Sequence, residues 1–318
     1  MKAAVCTQYG APEVLQVTEL AKPAPKDNEI LIKIHATAVN SADCRLRKAD
    51  PFAIRFFFGL FKPKNPVLGG VLSGIIEAVG KNVTQFHVGD AVFGSTQMHL
   101  SAHAEYICLP ETGALAIKPQ SISHEEAAAL PFGGMTALHF LRKANVQPGQ
   151  KVLIYGASGA VGTAAVQIAK YFGAEVTGVC STSNLEMVKS LGAANVIDYT
   201  TTDFAKTGET YDVVYETVDK APFSSCISVL NQKGKLILGA ALLGGMLRGA
   251  WISLTSKQKV ITGVAAETAE AANYLQKMAI EGKLKAVIDK KYPLEQIAAA
   301  HAHADNGHKR GNVVIGLA

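Results

Sequence analysis

The sequence predicts an α/β protein of two domains, one rich in β-strands and one with a doubly wound parallel sheet. Short strands separated by Gly and Pro dominate the first third of the chain, and strands then alternate with helices. A chain of 318 residues can bury two separate cores. We predict a β-rich domain over 1–120, an α/β domain over 121–286, and a return to the first domain over 287–318.

The β-rich part is predicted from runs of apolar and β-branched residues bounded by turn residues. Gly10-Ala-Pro12 and Val88-Gly-Asp90 are such boundaries. The pattern favours a compact all-β or barrel-like unit. Its predicted strands are Lys2–Thr7, Val14–Glu19, Ile30–Val39, Val71–Val79 and Ala104–Leu109.

The α/β part begins with a helix, because Ser123 and Glu126 form a capping box. A second helix is predicted from Pro131 to Lys143, and the alternation that follows indicates a parallel sheet with helices on both faces. The strands predicted there are 152–155, 175–180, 196–198, 212–216, 235–238 and 259–263. A helix near 294–303 and a strand at 312–315 end the chain.

Three glycines spaced three apart, Gly156, Gly159 and Gly162, lie between the first of these strands and the next helix. Glycine is costly in regular structure, so three within seven residues indicate that a ligand comes close. The order strand, glycine turn, helix suits the pyrophosphate of a dinucleotide at the helix N-terminus. The alternative is a tight turn without a ligand. The predicted doubly wound context favours the dinucleotide.

The end of the second strand of this domain bears on which dinucleotide binds. NAD-binding sites usually place an Asp or Glu there, on the ribose hydroxyl. This chain has Cys180-Ser-Thr-Ser-Asn184, which contains no carboxylate. The sequence therefore predicts NADPH as cofactor, with NADH possible.

Composition argues against several other classes of protein. The formal net charge of +5 is mild and scattered, so nucleic-acid binding is not indicated. The most apolar stretch, Leu236–Leu247, is too short to span a bilayer, and the N-terminus lacks a secretory signal. We expect no membrane partner and a cytoplasmic location. The five cysteines include no CxxC pair, which is typical of a reducing compartment and argues against a zinc ribbon.

Two groups of histidines need an interpretation. His301, His303 and His308 lie close together in sequence, and His99 and His103 are four residues apart. Neither group has an established metal-ligand spacing, so a structural or solvated role is favoured for each.

Motifs along the whole chain resemble one family, the medium-chain dehydrogenase/reductase superfamily in its zinc-free quinone oxidoreductase branch. Each motif alone is weak, but their order is specific. They are KAAVCTQYGAPEVLQV at the N-terminus, NSADCRLR, VGDAVFG, AEYICLP, PFGGMTALHFL, GASGAVGTAAVQIAK, LGAANVIDY and GHKRGNVVI. The resemblance implies a GroES-like catalytic domain, built from both ends of the chain, around a central Rossmann domain.

The resemblance also implies roles for individual residues. Along the pyrophosphate, beside Gly156, it places Ser158, Gly159, Ala160 and Val161. Around the adenosine phosphate it places Ser181, Ser183, Asn184 and Tyr199, and on the nicotinamide side Val218 and Gly239. Asn40 and Thr136 would line the pocket at the reacting ring. Two departures from the family stand out: relatives often carry Lys or Arg at Ser183 or Asn184, and an acid at Val71.

The catalytic zinc ligands of related alcohol dehydrogenases have no counterpart here, since the chain reads Asn40-Ser-Ala-Asp43 and Gly69-Gly-Val71 at those positions. Without a Lewis acid, a conjugated acceptor is the easier substrate. We therefore expect hydride transfer from NADPH to a quinone or an α,β-unsaturated carbonyl, without zinc. Asn40 and hydroxyls of the cofactor would orient the substrate oxygen, and water would supply the proton. Asp43 is either a base or, as favoured, a helix N-cap.

Other interpretations remain open at this point. The chain could be an enoyl-thioester reductase, which uses the same hydride chemistry, or a cofactor-binding regulatory protein with little turnover. A homodimer paired through the strand at 259–263 is expected. The apolar segment Phe52–Phe61 could be a helix packed on the β-rich domain or a lid over the substrate pocket.

Overall fold

The computed structural model describes residues 1–239, 249, 252–254 and 256–317. The chain divides into two compact units: Met1–Phe132 with Glu267–Ala318, and Gly133–Ala266. The second unit is thus inserted into the first. It begins within the helix Pro131–Lys143 and ends before the helix Ala269–Ile280, so both boundaries differ from the 120/121 and 286/287 positions that the sequence predicts. Residues 240–247 of the apolar stretch 236–247 lie outside the described part.

Fifteen strands are present in the described residues. In chain order they are β1 (Lys2–Cys6), β2 (Leu15–Glu19), β3 (Glu29–Val39), β4 (Val71–Val79), β5 (Ala91–Ser95), β6 (Tyr106–Pro110), β7 (Ala114–Ile117), β8 (Lys151–Tyr155), β9 (Glu175–Cys180), β10 (Asn195–Asp198), β11 (Tyr211–Glu216), β12 (Leu230–Leu238), β13 (Lys259–Ile261), β14 (Ile288–Pro293) and β15 (Asn312–Gly316).

Nine α-helices have bounds within the described residues. They are α1 (Ser41–Lys48), α2 (Ile54–Phe58), α3 (His124–Ala129), α4 (Pro131–Lys143), α5 (Ala160–Tyr171), α6 (Leu185–Ser190), α7 (Phe223–Ser228), α8 (Ala269–Ile280) and α9 (Ile297–Asp305). No described helix is both long and apolar enough to cross a membrane.

The first unit is built on a mixed sheet with strand order β14-β15-β3-β4-β5-β7, to which β6 adds by pairing with β3. β15 runs antiparallel to β3, with Val314 opposite Ala38, so the last strand of the chain completes the sheet of the first unit. Ile30, Ile32 and Ile34 alternate along β3 and are buried together in the main core. This alternation is the reason that one face of β3 turns inward.

The second unit contains a six-stranded parallel sheet with order β10-β9-β8-β11-β12-β13. Leu153, Val214 and Leu236 from three neighbouring strands are fully buried in one cluster. The strand order reverses direction between β8 and β11, and the crevice at such a point is where doubly wound sheets bind ligands. The predicted class is confirmed: the protein is α/β, with a GroES-like β-rich unit and a Rossmann-like parallel sheet.

The segment Phe52–Phe61 differs from the packed helix that the sequence favoured. Only Ile54–Phe58 is helical, and of its aromatic side chains Phe58 alone packs against the core of the first unit. Phe52, Phe56, Phe57 and Phe61 are exposed. A five-residue helix has too few residues on one face to bury all of these rings against the core.

Candidate active site

The glycine turn of the second unit follows β8 directly. Gly156 has φ +79°, which lies in the left-handed region where side chains are strained. A Cβ at Gly162 would lie 2.0 Å from the Gly156 carbonyl oxygen. The turn and the start of α5 are therefore packed backbone against backbone, and only glycine fits at position 162.

The N-terminus of α5 carries no side-chain cap. Its N-cap is Gly159, with no side-chain hydrogen bond at that position. A Cβ on Gly159 would meet nothing closer than the Gly156 oxygen at 3.6 Å. No side chain caps the first amide groups of the helix, near Ser158, Ala160 and Val161, and a helix N-terminus attracts anions. These residues fit a pyrophosphate.

The carboxyl ends of the parallel strands bring further predicted residues to the same edge of the sheet. Ser181 follows β9, Val218 follows β11 and Gly239 follows β12. The Gly239 amide donates to the Glu216 carbonyl (2.8 Å), and a Cβ on Gly156 would touch the Val218 side chain at 2.7 Å. The structure therefore places the predicted nicotinamide-side residues Val218 and Gly239 beside the glycine turn.

The predicted adenosine-phosphate residues differ in accessibility. Ser183 and Tyr199 are exposed and Ser181 is half-buried. Asn184 is buried, and its Nδ2 donates to Ser181 Oγ at 2.9 Å. Asn184 therefore positions Ser181, and its amide group is not free to bind a phosphate.

A carboxylate that the sequence interpretation missed lies beside this turn. Pairing of β10 with β9 places Asp198 opposite Cys180, and Thr182 Oγ1 donates to Asp198 Oδ2 at 2.5 Å. Hydrogen bonds from Thr182 and Thr200 lower the pKa of Asp198, so the group is ionised near neutral pH. The stretch 181–184 itself contains no carboxylate, but the adjacent strand places one beside it.

In the first unit, Asn40 follows β3 and is the N-cap of α1. Its Oδ1 accepts from the amides of Ala42 (2.8 Å) and Asp43 (3.1 Å), and Asp43 Oδ2 accepts from the Asn40 amide (3.0 Å). Asn40 and Asp43 thus form a complete capping box. Asp43 is the third helical residue and not the N-cap, which corrects the sequence interpretation.

The other end of the Asn40 side chain is unused by the cap. A Cβ on Gly70 would lie 3.8 Å from Asn40 Nδ2, so a larger side chain at position 70 would reach this amide group. The cap fixes the orientation of Asn40, which is 3% exposed, and glycine at position 70 adds no side chain beside Nδ2. This arrangement suits a hydrogen-bond donor for a substrate oxygen.

Asp43 is fully buried and joins two segments of the first unit. Its Oδ1 accepts from the Gly69 amide at 3.2 Å, in addition to the bond with Asn40. Burial raises the pKa of Asp43 to about 7, and the backbone donors at Asn40, Gly69 and Gly70 counteract only part of that effect. The carboxyl therefore changes protonation near neutral pH.

A half-buried acid, Glu267, was also missed from the sequence. Ser95 Oγ lies 2.6 Å from Glu267 Oε2 and 3.1 Å from the Gly70 carbonyl oxygen. Burial and the Asp43 charge raise the pKa of Glu267. Val71 is itself fully buried, and Glu267 places a carboxyl near the loop where relatives carry an acid in sequence. No local signal could have revealed this contact between residues 172 positions apart.

Thr136 is half-buried on α4 and belongs to the second unit, whereas Asn40 belongs to the first. Among the described residues, no group of three or more His, Cys, Asp or Glu side chains is placed to hold a metal ion.

Within the first unit, one ring contact joins the two histidine groups, and another histidine contacts a carboxylate. His301 and His103 are buried with their rings 5.5 Å apart, and burial lowers the pKa of both groups. His303 Nε2 lies 2.6 Å from Asp289 Oδ2.

Two protein-family models match this chain. The Alcohol dehydrogenase GroES-like domain matches residues 26–148, and the Zinc-binding dehydrogenase family matches residues 191–315. A chloroplast envelope quinone oxidoreductase homolog from Arabidopsis thaliana is 34% identical over 99% of this chain and 98% of its own length.

The chain belongs to the quinone oxidoreductase branch of the medium-chain dehydrogenase/reductase superfamily.

Other members of this branch agree with that placement. An NADPH-dependent alkenal/one oxidoreductase from Arabidopsis thaliana is 30% identical and covers 99% of this chain and 79% of its own length. The quinone oxidoreductase from Coxiella burnetii superposes with a TM-score of 0.91, at 29% identity, over 100% of this chain and 99% of that one. The Escherichia coli quinone oxidoreductase complexed with NADPH has a TM-score of 0.83, at 25% identity, over 99% and 100%.

Proposed function

We propose that this oxidoreductase transfers hydride from a nicotinamide dinucleotide to a quinone or an α,β-unsaturated carbonyl, without a metal ion. The observation that carries the proposal is the uncapped N-terminus of α5 beside the glycine turn, at the carboxyl edge of a parallel sheet. The names of the relatives, quinone oxidoreductase and alkenal/one oxidoreductase, support the substrate class.

The chain's own residues bind and orient the cofactor in this proposal. When bound, the reduced nicotinamide supplies the hydride. The amides at the start of α5 bind the pyrophosphate, and Ser181 and Ser183 lie at the adenosine end. Val218 and Gly239 are proposed to lie along the nicotinamide side; Val218 follows β11, the strand next to β8, and Gly239 follows β12, the strand beyond it.

Substrate activation depends on hydrogen-bond donors. Hydride addition to a conjugated acceptor spreads negative charge toward an oxygen, which a few donors can stabilise. Asn40 Nδ2 is such a donor, because the capping box already occupies Oδ1. Water is proposed to deliver the proton. The chain reads Asn40-Ser-Ala-Asp43 and Gly69-Gly-Val71 where related alcohol dehydrogenases carry zinc ligands, which favours a conjugated substrate over a plain alcohol.

Asp198 bears on the choice between NADPH and NADH. An ionised carboxylate near the adenosine ribose repels a 2′-phosphate and accepts hydrogen bonds from ribose hydroxyls. The hydroxyls of Ser181 and Ser183 act in the opposite direction, since they can donate to a phosphate. We therefore propose that NADPH and NADH both serve, with a smaller preference for NADPH than the sequence predicts.

The test is a cofactor-oxidation assay with 9,10-phenanthrenequinone, acrolein, crotonyl-CoA and a simple ketone, each with NADPH and with NADH. We expect turnover with the quinone or the enal, none with the ketone, and no change after treatment with a chelator. Asn40→Ser is the matched variant, because serine retains the helix cap but lacks the amide donor.

Three results would contradict the proposal. Faster turnover of crotonyl-CoA than of the quinone or enal would identify an enoyl-thioester reductase. Tight cofactor binding without oxidation of any substrate would identify a regulatory protein. Loss of activity with the chelator, restored by zinc, would show that a metal takes part.

A further inference from the structure

An exposed apolar patch lies on the first unit, and its residues have no role in the proposed chemistry. It consists of Phe52, Phe56, Phe57, Leu60 and Phe61, and is called the phenylalanine patch below. The exposed fractions reach 68% for Phe56, 77% for Phe57 and 85% for Phe61. Single exposed apolar residues are common, but five within ten residues mark an interaction surface.

The phenylalanine patch is held in place by contacts with the rest of the first unit. The Arg55 guanidinium lies 4.8 Å from the centre of the Tyr9 ring and 5.2 Å from that of Phe52. The Tyr9 hydroxyl donates to the Gly59 carbonyl at 2.7 Å, and Phe58 packs on the core. The exposed rings are thus presented on a fixed support, which lowers the entropic cost of binding.

Basic residues flank the patch in sequence. Residues 45–64 contain six Lys or Arg and one Asp, although Arg47 is fully buried. Arg47 and Lys48 pair with Asp305. Lys62 and Lys64 are exposed, and neither forms an ion pair within the described residues.

We propose that the phenylalanine patch docks this protein on an anionic lipid surface. Exposed aromatic rings partition into the interface between headgroups and acyl chains, and flanking lysines attract anionic headgroups. Peripheral docking of this kind needs no spanning helix, so the shortness of the apolar stretches in the sequence does not oppose it. The expected lack of a membrane partner rests on the lack of a spanning segment, which does not concern peripheral contacts.

Charge decides between a lipid surface and a second copy of the chain. A symmetric dimer through this patch would bring the two sets of lysines together, and like charges across an interface are unfavourable. An anionic bilayer instead neutralises Lys62 and Lys64 while it covers the rings. The proposal is independent of the proposed enzymatic function.

Flotation with lipid vesicles tests this inference on the full chain. We expect binding to phosphatidylcholine vesicles that contain about 30% phosphatidylglycerol, weaker binding to pure phosphatidylcholine, and loss of binding at about 0.5 M salt. Phe56→Ser with Phe57→Ser and Phe61→Ser should weaken binding more than about 100-fold. Lys62→Glu with Lys64→Glu should weaken it at least about 30-fold.

Matched controls separate the patch from general surface effects. Val88→Ser, Val264→Ser and Ile280→Ser remove three exposed but scattered apolar side chains, and Lys233→Glu with Lys283→Glu reverses two exposed charges elsewhere. These variants should bind vesicles as the parent protein does, and all variants should keep the parent's circular dichroism spectrum.

Three outcomes would overturn the proposal. Equal binding of the patch and control variants to anionic vesicles would show that the patch does not contact lipid. Unchanged vesicle binding with an altered KM for quinones would instead make the segment a substrate lid. A change in sedimentation coefficient for the patch variants, without vesicle binding by the parent, would assign the patch to self-association.

Discussion

Helices α1 and α5 each begin beside predicted site residues, but their N-termini differ. In the first unit, Asn40 and Asp43 form a complete capping box, in which their side chains accept hydrogen bonds from backbone amides at the start of α1. In the second unit, Gly159 caps α5 without any side-chain bond. Closing an N-terminus stabilises the helix, and leaving it open keeps the amides available for an anionic ligand. In our proposal, α1 therefore orients a side chain, whereas α5 leaves its backbone amides for the cofactor.

The strongest test of the open N-terminus is Gly162→Val. The new Cβ would lie 2.0 Å from the Gly156 oxygen and 2.7 Å from the Ala157 Cα, so the turn and α5 must separate. We expect a loss of stability of about 1–3 kcal/mol or more, and no detectable NADPH binding. Denaturant unfolding and fluorescence titration with NADPH measure the two effects.

Gly159→Ala is the matched variant at the same turn. Its φ of −80° suits alanine, and the nearest atom would be 3.6 Å away, so the fold should be retained. If the cofactor lies over the turn, the methyl group should weaken NADPH binding about 10-fold. Unchanged NADPH affinity in Gly159→Ala would show that the cofactor does not lie over the turn.

The closed N-terminus predicts a pH effect through Asp43. Because its folded-state pKa of about 7 exceeds the ordinary value of 3.8, the folded protein retains a proton that the unfolded chain releases. The contribution to stability is fully present below about pH 4 and is lost as the pH rises through about 7, by at most about 4 kcal/mol.

Asp43→Asn should remove this dependence. The free energy of unfolding of the parent, relative to that of the variant, should decrease between about pH 4 and pH 8 in urea titrations. Asp50→Asn removes an exposed carboxylate of the same unit and is the control. Parallel pH profiles for the parent and Asp43→Asn would show that Asp43 stays ionised in the fold.

Asn40 allows the cap and the proposed substrate contact to be separated. Asn40→Ala should cost about 1 kcal/mol of stability, because the cap is lost, and Asn40→Ser should cost little. Both variants should lower kcat/KM for the quinone about 10-fold or more, because both lack Nδ2. Full activity in Asn40→Ser would leave Asn40 with a structural role alone.

The smallest expected effect concerns the adenosine end of the second unit. Asp198→Asn removes the carboxylate beside Thr182 and should raise the ratio of NADPH to NADH affinity several-fold. Ser183→Arg should act in the same direction by adding a cation. Titration with both cofactors measures the ratio, and a ratio unchanged in both variants would place the 2′ position elsewhere.

The sequence predicted features that depend on neighbours along the chain. The glycine turn, the capping box at Ser123 and the alternation of strands and helices are local patterns, and the α/β class that they predicted is confirmed. The Asn40–Asp43 spacing also follows the pattern of a capping box, although it was assigned the wrong cap.

Features that depend on strand register or on distant contacts were not predicted. Asp198 reaches Thr182 only because β10 pairs with β9 in one register. Glu267 follows the inserted unit in sequence, yet its side chain contacts Ser95, which precedes that unit. A single sequence carries no periodic or compositional signal for either contact, since neither involves residues of one element.

The pairing of β15 with β3 has a consequence for synthesis on the ribosome. β3 emerges early in the nascent chain together with two of its partners, β4 and β6. Its third partner, β15, consists of residues 312–316. The contiguous unit 133–266 can fold before the sheet around it is complete. The sheet of the first unit is therefore completed after the second unit has been synthesised, and residues 36–39 of β3 lack their β15 partner until residues 312–316 emerge.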